Sequence, residues 1–148
     1  MGGRRLRIPY EIKQEAIWIV RGYDMRKRNY ERMKSDILTH MTAGAGDGAP
    51  HGSGVSDQTA QKAAQIERLE RYPEVKKMRA VEYAERQIGQ DVLSQDARER
   101  LRKAIVQNCK SGRRFPFERL AVDEFSRRDF YRRKDKFLVD VASYLEMM

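Results

Sequence analysis

The chain has 148 residues, and 31 Lys and Arg against 22 Asp and Glu give a formal net charge of +9. Its longest unbroken apolar run, Ala16 to Val20, falls well short of the about 20 residues that a spanning helix needs, which argues against an integral membrane protein. At 40% hydrophobic residues and a mean hydropathy of −0.83, the chain suits one or two small domains, and the basic excess points to a polyanionic partner.

The first residues predict no signal peptide, because Arg4, Arg5 and Arg7 are followed by Pro9 and Glu11 and not by an apolar stretch. From Tyr10 to about His40 the sequence reads as one long helix without internal Pro. Ala16, Ile19, Tyr23, Tyr30, Met33 and Ile37 recur in steps of three and four, interrupted only where Arg26 takes a seam position. That is the spacing of a coiled-coil face, and a rod of about 45 Å cannot bury its own stripe, so it needs an antiparallel partner or a second subunit.

Half of the ten glycines fall between Thr42 and Asp57, which predicts a flexible loop over 42–57. No phosphate-loop pattern is present there. Ser56 is expected to cap the next helix, which carries Ala60, Ala63, Ile66 and Leu69 up to Pro73. Pro73 is expected to be the first residue of a third helix, with Val75, Met78, Val81, Ala84 and Ile88 on one face and a stop at Gly89. Residues 1–90 are thus expected to form a long helical hairpin region and 91–148 a second unit.

In that second unit Ser94 is expected to cap a helix carrying Ala97, Leu101, Ala104, Ile105 and Cys109, ended by Gly112 in the left-handed conformation. A short helix holding Leu120 and Ala121 should start at Pro116. Ser126 and Asp129 then read as a capping-box-like pair opening a final helix from Arg127 to about Leu145. No strand-like alternation occurs, so the expected fold class is all-α: a long N-terminal helical hairpin followed by a small C-terminal helix-turn-helix domain.

On the final helix Phe130, Phe137, Leu138, Val141 and Leu145 share one face by the 3.6-residue period. Arg128, Arg132 and Lys136 then point away from it, with Arg127 and Tyr131 at its borders. A recognition helix has this arrangement, because residues of its first turns reach base edges in the major groove. Arg forks onto a guanine edge or a phosphate, and Ser126 offers a backbone-phosphate contact. Upstream, Arg98 to Arg114 carries seven basic residues and one acidic, a local net of +6, with Arg113 and Arg114 placed for phosphate contacts. Residues 42–97 carry seven basic and nine acidic groups and make an unlikely DNA surface.

The stretches HGSGVSDQTAQKA (His51 to Ala63) and LRKAIVQNCKSGRRFPFERLAVDEFSRRDFYRRKDKFLVDVASYL (Leu101 to Leu145) resemble the RinA/ArpU-type late transcriptional regulators of bacteriophages and prophages. The C-terminal half is also similar to region 4 of sigma factors, itself a helix-turn-helix. The resemblance implies a sequence-specific activator of phage late genes. Promoter double-stranded DNA is then the expected partner, the N-terminal hairpin is expected to support self-association or contact with host RNA polymerase, and the single Cys109 fits a reducing bacterial cytoplasm. It places the recognition positions on Arg127, Arg128, Tyr131 and Arg132. The connection from Ala121 to Phe125 departs from the pattern, since it lacks the glycine usual in such turns.

No catalytic constellation emerges. His40, His51 and the single Cys109 make no metal set, so no enzyme activity, cofactor or metal is expected. Cys109 reads as a small buried hydrophobe. The rival reading is an assembly protein such as a small terminase-type packaging subunit, which would bind DNA as a closed ring of many subunits.

Overall fold

A computed structural model describes residues 7–44 and 54–148. Among these the chain is all-helical: α1 (Tyr10–Arg21), α2 (Tyr23–Gly44), α3 (Gly54–Glu70), α4 (Pro73–Gln87), α5 (Gln95–Lys110) and α6 (Arg127–Tyr144), with one 3-10 turn at Phe117–Arg119. No described helix is long and apolar enough to cross a membrane. The chain divides into two compact units, one formed by residues 7–23 and 77–148 and the other by Asp24–Lys76.

The first unit corrects the expected division at residue 90. Helix α1 belongs with α5 and α6, because Ala16, Ile19 and Val20 are buried in one core with Ala80, Val81 and Ala84 of α4, Leu101 and Ile105 of α5, and Phe130, Phe137 and Leu138 of α6. The expected single helix over 10–40 is accordingly two. At Gly22 the backbone opens to ψ 0° and its N–H returns to the Trp18 carbonyl at 3.0 Å, closing α1. Glycine is a poor helix former, and the heptad-like spacing that continues past it masks the break.

Several local expectations hold. Helix α4 begins at Pro73. Ser94 Oγ accepts the Ala97 N–H at 3.3 Å and caps α5. Past the end of α4, Gly89 sits at φ +72°, where a Cβ would stand 3.0 Å from Arg98 Cγ and 3.5 Å from Leu101 Cδ2. Gly89→Ala is therefore expected to cost about 1–2 kcal/mol in denaturant unfolding, since an L side chain resists that conformation. An unchanged midpoint would show that the turn relaxes to negative φ.

Three local expectations are corrected. Helix α5 closes at Ser111, whose φ is −156°, and Gly112 is not left-handed. The short helix expected over 116–121 is a single 3-10 turn, because Ala121 adopts φ +53° and turns the chain where glycine is usual. Helix α3 begins at Gly54, so Ser56 lies within it and not at its cap. Both ends of the expected loop over 42–57 are helical, whereas residues 45–53, including His51, lie outside the described residues, as do Arg4 and Arg5.

In the second unit long-range polar contacts join α2 to the end of α3 and to the start of α4. The buried Tyr30 hydroxyl donates to Glu70 Oε1 at 2.5 Å. Arg26, which stood in the seam as the one charged residue, donates to Glu74 Oε2 at 2.9 Å. A cation in an apolar stripe is tolerated because a carboxylate from α4 meets it.

Candidate nucleic-acid interface

Helix α6 is positioned by its buried side. Phe130 and Phe137 are 0% and 1% exposed, and Leu138, Val141 and Ala142 are buried with them. The Phe130 ring packs against Phe117 and Tyr131, each with centroids 5.3 Å away. With that face committed to the core, the helical period turns Arg128, Arg132 and Lys136 outward, and all three are exposed. Ser126 caps the helix, its Oγ accepting the Asp129 N–H at 3.1 Å.

Four of the eight residues singled out from the sequence share one open cleft of about 1220 Å³: Arg128, Tyr131, Arg132 and Lys136. The cleft lies within the first unit. Its other walls come from the turn after α4 (Gly89 to Asp91) and from the start of α1, which contributes Arg7, Ile8 and Lys13. The remaining four, Arg113, Arg114, Ser126 and Arg127, do not line it. Arg127 pairs with Glu118 at 3.2 Å and lies 5.7 Å from the Tyr131 ring centre. Arg113 and Arg114 are exposed on the connection after α5, where the Arg114 N–H donates to Ser111 Oγ.

Much of the positive charge between Arg98 and Arg114 is structural. Arg102 donates from Nε to the Ile88 carbonyl at 3.0 Å and from Nη2 to the Arg86 carbonyl at 2.8 Å, satisfying carbonyls at and just past the end of α4. Arg98 donates to the Val92 carbonyl at 2.8 Å, and Arg100 pairs with Glu124. These guanidiniums stitch α5 to its neighbours, which a charge count along the sequence does not reveal.

Sequence reasoning missed Arg133. Its guanidinium forks onto Asp91 at 2.8 and 2.7 Å, donates to Asp129 at 2.9 Å, and lies 5.2 Å from the Phe125 ring centre. It ties the first turns of α6 to the turn after α4 and so holds two walls of the cleft together. The hydrogen bonds from Arg133 lower the Asp91 carboxyl from its usual 3.8 to about 2. Burial pulls Asp129 upward, but hydrogen bonds from Arg133 and Arg132 outweigh it and hold that carboxyl below its ordinary value.

Because the folded Asp91 carboxyl is depressed, its contribution to stability is present above about pH 4 and is lost as pH falls toward 2. Solvent screening at this exposed carboxylate keeps the contribution to about 1 kcal/mol or less. Asp91→Asn is expected to be slightly less stable at neutral pH and to show a smaller acid-induced loss, both read from unfolding midpoints across that range. Identical acid profiles would contradict the assignment.

Elsewhere in the unit burial pushes the Cys109 thiol up to about 12, which leaves it an inert core side chain. Compared with protein-family models, with curated proteins and with solved structures, the chain matches none.

Proposed function

We propose that the chain is a sequence-specific DNA-binding transcriptional regulator, of the type its sequence resembles in the RinA/ArpU-type phage late regulators. The observation that carries this reading is the α6 wall of the cleft, where Arg128, Tyr131, Arg132 and Lys136 lie together on the exposed side of a helix whose opposite side is core. The Arg128 guanidinium makes no hydrogen bond or ion pair among the described residues, and the exposed Arg132 guanidinium pairs with Asp129 at 2.6 Å. An uncompensated guanidinium in the first turn of a helix opposes the helix dipole, and a docked anion relieves it. Such side chains are available to a phosphate or a base edge at little cost to the fold.

In this reading α6 is the recognition helix, the 3-10 turn and α5 supply its support, and α2 with α3 form a helical hairpin for self-association or polymerase contact. Arg113 and Arg114 add backbone contacts. The protein is a binding module without catalytic, metal or cofactor chemistry, acting on promoter DNA in the bacterial cytoplasm. Selection of bound duplexes from a random pool tests it: an enriched motif is expected, and a pool that stays random through successive rounds would contradict sequence-specific recognition.

A further inference from the structure

The cleft carries more cations than its carboxylates neutralise. Lys13 pairs with Asp135 at 3.1 Å, Lys136 with Asp140 at 3.1 Å, and Arg133 with Asp91 at 2.7 Å, so each acidic group of the lining has its own partner. Arg132 takes Asp129, which lies outside the lining. Two guanidiniums remain, Arg128 on α6 and Arg7 on the segment before α1, neither with an ion-pair partner among the described residues. Arg7 stands on a fixed base. The next residue, Ile8, packs half-buried against the core, and Pro9 opens α1 with φ −55° and accepts the Lys13 N–H at 2.9 Å. Proline's ring removes the freedom that would let this position drift.

We propose that Arg7 is a second DNA-contact element, gripping a backbone phosphate of the duplex that α6 faces across the same cleft. The inference rests on the reading of α6 as the DNA-contact helix and adds an element from the opposite end of the chain. The cleft exceeds the size of ordinary small-molecule pockets, is open, and has nine charged residues among the sixteen that line it, which suits a polyanionic strand better than an enclosed apolar ligand. Some DNA readers that use one helix add a basic arm beside it. A phosphate contact positions the protein without reading sequence, so its loss weakens binding to every duplex alike.

The test compares Arg7→Ala, Arg128→Ala and Arg86→Ala with the full-length wild-type chain by fluorescence titration of a labelled mixed-sequence DNA duplex over a range of salt. Arg86 is exposed and outside the cleft, so its variant controls for the change in net charge. One lost phosphate contact lowers the slope of log affinity against log salt by about 0.9, or about fivefold in affinity at 0.15 M salt. The inference expects that change for Arg7→Ala and a clearly smaller one for Arg86→Ala. Equal slopes for Arg7→Ala and wild type, with Arg128→Ala weakened, would overturn the inference and leave the reading of α6 standing. Equal losses in Arg7→Ala and Arg86→Ala would also overturn it, since net charge alone then accounts for the effect. Failure of the wild type to bind duplex DNA at low salt would overturn the underlying reading as well.

Discussion

Phe130→Ala is expected to destabilise the first unit by about 3–5 kcal/mol, because a fully buried ring leaves a cavity that its neighbours fill only in part. The ring meets Phe117 from the 3-10 turn and Tyr131 from its own helix, and it shares a core with α1, α4 and α5. Truncation therefore removes area burial and two aromatic contacts together. Denaturant unfolding followed by circular dichroism measures it. Phe130→Leu, which preserves most of the volume, is expected to lose about 1.5 kcal/mol or less. Similar losses in the two variants would mean that the cavity does not govern the cost.

Arg128→Ala and Arg132→Ala are each expected to weaken binding to a selected duplex by about 1–3 kcal/mol, roughly 5- to 150-fold, as the loss of a bidentate base contact does. Stability should stay within about 0.5 kcal/mol of wild type, because both side chains are exposed and no core contact is lost. The separation matters: a binding loss without a folding loss is what a surface contact yields, and it contrasts with Phe130→Ala. Arg132→Ala also frees Asp129, which keeps its bond from Arg133 at 2.9 Å, so the start of α6 should hold. Wild-type affinity in both variants would remove α6 from the role of recognition helix.

What the sequence made legible was local. The inward face of α6 follows from the spacing of Phe130, Phe137, Leu138 and Val141, and its outward face follows from the same period, so Arg128, Arg132 and Lys136 could be placed on one side before any fold was known. Caps at Ser94 and Ser126 involve only neighbouring residues and were equally readable. Tertiary choices were not. Ala16, Ile19 and Val20 look the same whether their partner is a returning hairpin helix or, as here, α5 and α6. Ala121 carries no signal of its left-handed backbone, so the sequence predicts a short helix up to it where the chain makes only a 3-10 turn.

The cleft shows the same limit. Arg132 and Arg133 are adjacent and chemically identical, yet one helical step of about 100° leaves the first exposed and sends the second to Asp91, a residue far away in sequence. In the sequence Arg7 is one of three neighbouring arginines with Arg4 and Arg5, and nothing local sets it apart. Its place in the same cleft as Arg128 depends on the packing of Ile8, which no local pattern encodes.

The outward side of α6, within this cleft, is the proposed DNA-binding surface. A two-dimensional NMR titration of the full chain with duplex DNA tests it most directly, because each residue reports for itself. Perturbations concentrated at Arg128, Tyr131, Arg132 and Lys136, with Arg7 among them, are the expected result. Perturbations confined to α2 and α3, or none at a DNA excess in low salt, would contradict it.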